Sequence, residues 1–152
     1  MTPLNLPHYD MRLRRSADGA VQVYDLLRDK WVALTPEEWV RQHFVNYLLT
    51  AKGYPRYLTA NEVSLKLNAT SRRCDTVVFD RERRPLVIVE YKAPTVAITQ
   101  KVFDQIARYN SVLRAPVLIV SNGMQHYSCH FDGAGYTFLK EIPSYADAEQ
   151  LM

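Results

Sequence analysis

The run PLVIVEYKAP at 85–94 constrains this chain more than any other segment. Leu86 to Val89 is a near-continuous apolar stretch, β-branched at three of its four positions and stopped by Pro94. Such a run favours extended backbone and needs cover on both faces, so it predicts a strand in the middle of a sheet. Its end carries Glu90 and Lys92. Residues two apart on a strand share a face, so carboxylate and ammonium project together. An acidic group abutting a buried strand needs a partner ion or a chemical task.

The preceding run, CDTVVFD at 74–80, reads as a neighbouring strand, with RERRP at 81–85 as the turn between them. That hairpin pairs position 75 with about 91 and brings Asp75 to the Glu90/Lys92 pair. Two carboxylates, with the Tyr91 backbone carbonyl facing the same ion, offer hard oxygen ligands to Mg²⁺ or Mn²⁺. An ammonium beside them can orient water or steady the charge that develops on a phosphate. This is the chemistry of phosphodiester hydrolysis. Asp-x₁₄-Glu-x-Lys alone arises often by chance, and the competing reading of Glu90 is a buried ion pair with Arg or Lys.

The surrounding elements fit a single fold class. Thr35 caps a helix with Pro36 at its first position and Glu38 completing a Thr-x-x-Glu capping box. Val40, Phe44, Tyr47 and Leu48 then recur at helical spacing until Gly53 ends the run. Val63–Leu67 alternates as a strand with Glu62 at its start, and 68–73 reads as a turn. Thr99 caps a second helix with Val102, Phe103, Ile106 and Leu113 on one side. VLIVS at 117–121 is another buried strand, and weaker strands follow at 125–131 and 136–141. A helix between strands 86–91 and 117–121 favours a parallel crossover. The expectation is an α/β fold with a mixed central β-sheet flanked by two helices. Residues 35–152 form its body, behind a leading segment, 1–34, that carries a short hairpin across 28–30 and looks least ordered over 1–20.

The composition, 47% hydrophobic and 23% charged, suits a soluble globular protein, and 152 residues suit one domain. No apolar run approaches the roughly 18–20 residues that span a bilayer. MTPLNLPHYD lacks a basic flank and an apolar core, so a cytoplasmic location without membrane contact is expected. Net charge is only +3, but arginines cluster at 12–15, at 72–73 and at 81–84. Arg72 and Arg73, just before Asp75, suit a polyanionic substrate or are ordinary surface charge; those at 81–84 read first as a solubilised turn. Cys74 and Cys129 form no disulfide framework. His126, Cys129 and His130 sit in one extended run and read as partly buried strand residues rather than a zinc site. Gln105 and Tyr109, four apart, share a polar helix face and can hydrogen-bond a phosphate or the carboxylates, or are plain surface residues.

RRCDTVVFD, PLVIVEYKAP, ITQKVFDQIARYN and VLIVSNGMQHY together resemble the amino-terminal nuclease domain of the R subunit of type I restriction enzymes, within the PD-(D/E)xK superfamily. The resemblance spans about 35–131, including TPEEWVRQHFVNYL. It rests most firmly on Glu-x-Lys-Ala-Pro at 90–94 and Gln-x-x-x-Tyr at 105–109. It implies a restriction-endonuclease-like core in which Asp75 and Glu90 are metal ligands and Lys92 is the catalytic lysine. Gln105 and Tyr109 would position DNA or the site. Glu62 matches the additional acid that many members place beside the metal, or is a solvated strand-edge residue. The namesake proline before the aspartate is Cys74 here. DNA is the implied substrate, with phosphate contacts from Lys66, Arg72, Arg73 and Arg108. No G-x-x-x-x-G-K-[ST] occurs, so the residues carry no phosphate-cradling loop of a motor. A translocase, a specificity or modification subunit supplied in trans, or a homodimer would complete the assembly. The rival expectation is a nucleic-acid-binding module that does not cut alone.

Overall fold

The computed structural model describes residues 1–67 and 69–152. Nine strands and three helices are described. A small sheet comprises β1 (Leu13–Arg15), β2 (Val21–Asp25) and β3 (Lys30–Ala33). The main sheet comprises β4 (Thr59–Leu67), β5 (Thr70–Phe79), β6 (Pro85–Tyr91), β7 (Val117–Ser121), β8 (His126–Phe131) and β9 (Tyr136–Phe138). The helices are α1 (Pro36–Ala51), α2 (Gln100–Ser111) and α3 (Tyr145–Glu149). The main sheet runs in chain order, β4 to β9. Among the described residues only β6 and β7 pair in parallel, because α2 crosses between them.

The apolar run of β6 is central, as its composition requires. Val87, Val89 and Tyr91 pack into one core with Val40, Phe44 and Leu48 of α1. Ile88 packs into the other with Phe103 and Ala107 of α2. Burying each such aliphatic side chain contributes about 1.5–3 kcal/mol, so the alternation fixes the register of this strand. It also decides the site. Glu90 and Lys92 share the parity of Ile88, which puts them on the α2 face at the end of β6.

Thr35 caps α1 through a hydrogen bond from Glu38 N to its side chain, 3.1 Å. The reciprocal half of the expected capping box is missing because the Glu38 carboxylate goes elsewhere, to Arg28, Arg41 and Gln42. Gly53, at φ +71°, ends the helix as expected, with Lys52 N and Tyr54 N both donating to Leu48 O.

Several expectations are corrected. The turn at 68–73 is not observed: β5 already begins at Thr70, so Arg72 and Arg73 lie on a strand, and Asn68 lies outside the described residues. The leading segment is tied down rather than loose. Asn5 N donates to Gly123 O at 2.8 Å, and Trp39 Nε1 donates to Thr2 O at 2.8 Å. Residues 13–15 add a third strand to the hairpin, whose turn is 26–29. The last strand stops at Phe138, and a third helix follows, buried through Tyr145 and Ala148. Its five residues are too few to show a helical period in the sequence.

Candidate active site

The β5–β6 register places Asp75 against Glu90, one residue from the expected pairing with Tyr91, since Thr76 pairs with Val89 and Val77 with Ile88. Asp75 Oδ2 accepts a hydrogen bond from Tyr91 N at 2.9 Å. The Glu90 side chain hydrogen-bonds Asp75 as well, and Glu90 is only 7% exposed. Burial, followed by the charge of Asp75 and the hydrogen bond to it, pushes the Glu90 carboxyl well above the usual range, against the lowering effect of Arg72 and Lys92. Burial and the neighbouring carboxylate disfavour a charged Glu90, and a cation held between the two groups would relieve that cost. Lys92, half-buried, is anchored by its N–H to Ser121 O at 2.9 Å. Its ammonium makes no ion pair among the described residues.

The β4–β5 ladder breaks beside this pair. Asn61 pairs with Thr76 and Val63 with Cys74, but Glu62 and Asp75 between them do not pair. Glu62 sits at φ +56°, in the left-handed region that a glutamate rarely enters within a strand. The carbonyl of Asp75 accepts instead from Arg41 Nη1 at 2.7 Å. Arg41, buried on α1, also donates to Glu38 and, at 2.7 Å, to Glu62. Arg73 Nε holds the second Glu62 oxygen at 2.7 Å. Burial opposes ionisation of Glu62, but these two arginines hold its carboxyl below the usual range. Glu62, expected beside the metal ligands, meets these two arginines. Its carboxylate is committed to arginines, and among the described residues no three His, Cys, Asp or Glu converge as a metal cluster.

A chain of buried polar groups supports the peptide between Glu90 and Lys92. Tyr91 Oη donates to Thr76 Oγ1 (2.9 Å), which donates to Asn61 Oδ1 (2.7 Å), while Asn61 Nδ2 donates to Asp25 Oδ2 (2.9 Å). Asp25 is paired with Arg28, whose Nη2 reaches Glu38 at 2.7 Å. Arg41, Thr76, Asn61, Asp25 and Arg28 escaped the sequence reading. The available signal was Glu38, Arg41 and Gln42, polar at helical spacing with the core residues of α1, yet all buried.

The basic residues divide. Arg72 lies at the pair: Nη2 is 3.4 Å from Glu90 Oε1, and its guanidinium lies 3.9 Å from the Tyr109 ring centroid. Arg73 is 70% exposed and holds Glu62, while Lys66 is exposed on β4, the edge strand. Gln105 and Arg108 are exposed on α2 beside Lys101 and Asp104. Gln105 makes no hydrogen bond among the described residues, so the structure does not bring it to the carboxylates. The turn arginines are structural, with Arg84 Nε on Asp80 Oδ2 at 2.8 Å.

Asn122 and His126 acquire positional roles. Asn122 Oδ1 accepts from Met124 N and Gln125 N, and its amide donates to Val96 O at 2.8 Å, pinning the loop that follows Lys92. His126 bridges Ser121 Oγ and Asn5 O, Cys129 is buried, and His130 contacts Leu151 O. They form no zinc cluster among the described residues.

Residues 36–143 match the family model of the type I restriction enzyme R protein N terminus. The chain belongs to that family. The family segment holds Asp75, Glu90, Lys92, Gln105 and Tyr109, and begins where α1 begins, after the small sheet. A solved fragment described as the HsdR subunit of a type I restriction enzyme from Vibrio vulnificus YJ016 superposes with a TM-score of 0.58 at 14% identity, covering 78% of this chain. At that identity the likeness is one of fold, a mixed sheet flanked by helices. The chain spans a quarter of that relative's length, 25%. No curated protein matches the sequence. No described helix is long and apolar enough to cross a membrane.

Proposed function

We propose that this chain is a DNA endonuclease domain dependent on Mg²⁺ or Mn²⁺. The observation that carries the reading is the Asp75–Glu90 pair, two carboxyls hydrogen-bonded in a largely buried place with the ammonium of Lys92, which makes no ion pair among the described residues, on the same face. Hard oxygen donors forced together in low dielectric fit a small divalent cation, which would relieve their repulsion. Asp75, Glu90 and the Tyr91 carbonyl would hold it. Once bound, the cation would supply Lewis-acid stabilisation of a phosphate oxygen and make water a better nucleophile near neutral pH.

The remaining work belongs to the chain. Tyr91 N–H fixes Asp75, and the Thr76–Asn61–Asp25 chain fixes Tyr91, so the ligands are held before substrate arrives. Lys92 orients the attacking water or offsets charge on the phosphate. Arg72, Arg73, Lys66 and Arg108 contact backbone phosphates without reading sequence. A second reading has its own support: with Glu62 committed to Arg41 and Arg73, the site is a DNA-binding module that cuts only when a translocase, a specificity or modification subunit, or a second copy completes it. A cytoplasmic location accords with such partners.

Calorimetric titration with Mn²⁺ and Mg²⁺, beside Asp75→Ala, followed by incubation with supercoiled plasmid, tests the proposal. Binding lost in the variant, with nicking by the parent, supports autonomous cleavage. Binding without nicking favours the partner-dependent module. Absence of binding even with DNA present reduces the triad to a structural ion pair.

A further inference from the structure

Three features meet at Arg72 that a resting ion pair does not explain. Its Nη2 stands 3.4 Å from Glu90 Oε1, beyond the roughly 2.7–2.9 Å of a good charge-assisted hydrogen bond. Its guanidinium lies over Tyr109, with the central carbon 3.9 Å from the ring centroid. Its Nε is buried and has no hydrogen-bond partner among the described residues. A buried donor without an acceptor is rare in a folded chain and points to a group that the chain itself does not provide. The backbone cannot move to satisfy it, because Arg72 is locked in the ladder opposite Leu65. Only the side chain is free to change partners.

We propose that Tyr109 is a ring platform that holds the Arg72 guanidinium beside Glu90 while no metal is bound, and presents it to a substrate phosphate once a divalent cation takes that place. The proposal rests on the reading of Asp75 and Glu90 as cation ligands. Guanidinium and metal are both cations that seek the same buried carboxylate, so they compete for it. A guanidinium keeps its donors in the plane while its face stays stacked, and can therefore turn from carboxylate to phosphate without leaving the ring. Its Nε and one terminal nitrogen then form the fork that matches two phosphate oxygens. Substrate engagement is thereby coupled to metal loading. The Tyr109 hydroxyl takes no part, which departs from the hydrogen-bonding role expected for the Gln-x-x-x-Tyr pair.

The test uses the full chain in a Lys92→Ala background, which keeps the cation ligands and suppresses cutting. Mn²⁺ affinity is measured by calorimetry, and affinity for a labelled DNA duplex by anisotropy with and without Mn²⁺. Arg72→Ala is expected to bind Mn²⁺ at least about tenfold more tightly, because a competing cation is gone, and to lose the Mn²⁺-induced gain in duplex affinity. Tyr109→Leu keeps the charge but removes the platform; it is expected to tighten Mn²⁺ and weaken the coupled DNA gain, whereas Tyr109→Phe follows the parent in both. Unchanged or weaker Mn²⁺ binding by Arg72→Ala, in a parent that binds Mn²⁺, would overturn the proposal and leave the cation site standing. So would Tyr109→Phe behaving like Tyr109→Leu. If neither the parent nor Arg72→Ala binds Mn²⁺, the cation site and the platform fall together.

Discussion

Glu90→Gln is expected to make the metal-free protein more stable while removing its response to divalent cations. In the folded chain burial and the neighbouring Asp75 raise the Glu90 carboxyl from 4.5 to about 8. Folding therefore takes up a proton, so this group's contribution is full below the unfolded value and fades as pH rises toward the folded one. At pH 7 the native state pays for about 2.5 pH units of that interval, at about 1.4 kcal/mol each, or about 3.5 kcal/mol. A neutral amide of the same shape avoids that cost and can still donate to Asp75. In a domain of this size the gain corresponds to a rise in Tm of up to about 7–14 °C. The assay is thermal unfolding followed by circular dichroism in EDTA from pH 5 to 9, repeated with Mn²⁺. The variant's advantage should be small near pH 5, grow to pH 8, and be reversed by Mn²⁺, which stabilises only the parent. A variant less stable than the parent in EDTA at pH 8 would refute the reasoning, because Glu90 would then be a favourable ion-pair partner of Arg72.

Lys92→Ala should reduce plasmid nicking by about 10²–10³-fold with an unchanged unfolding midpoint; full nicking would remove Lys92 from the chemistry. Arg41→Met leaves Glu38 to Arg28 and Gln42, leaves Glu62 to Arg73 and frees the Asp75 carbonyl, so denaturant unfolding should show a loss of up to about 3–5 kcal/mol together with weaker Mn²⁺ binding. An unaltered Mn²⁺ affinity in a folded Arg41→Met protein would show that the ladder break does not aim Asp75. Glu38 and Asp25 have carboxyls held below their ordinary values despite burial, by hydrogen bonds from Arg41 and Gln42 and from Asn61 and Arg28 respectively. Their contribution is present above the unfolded values and disappears as pH falls through the folded ones. Acid unfolding below about pH 4 should therefore be blunted in Glu38→Gln, measured as the slope of stability against pH.

Much of the fold and the core of the site lay in the linear order of residues. A β-branched run bounded by a charged turn and a proline can only be a covered strand, and period two then sets Glu90 and Lys92 on one face. Capping by Thr35 and Thr99 is local chemistry, so both long helices were legible to within a residue or two. What only the tertiary structure decided came from contacts between residues far apart. The exact register of β5 on β6 depends on which aliphatic side chains fill the two cores, and it moved Asp75 from Tyr91 to Glu90. The fate of Glu62 was set by Arg41, 21 residues earlier on another element, and by a break in the ladder that no spacing signals. Tyr109 meets Arg72 because α2 packs over the end of β5, which sets its ring against the guanidinium. Local sequence fixes what each residue can offer; which partner receives it follows from burial, where an unpaired charge is too costly to leave alone.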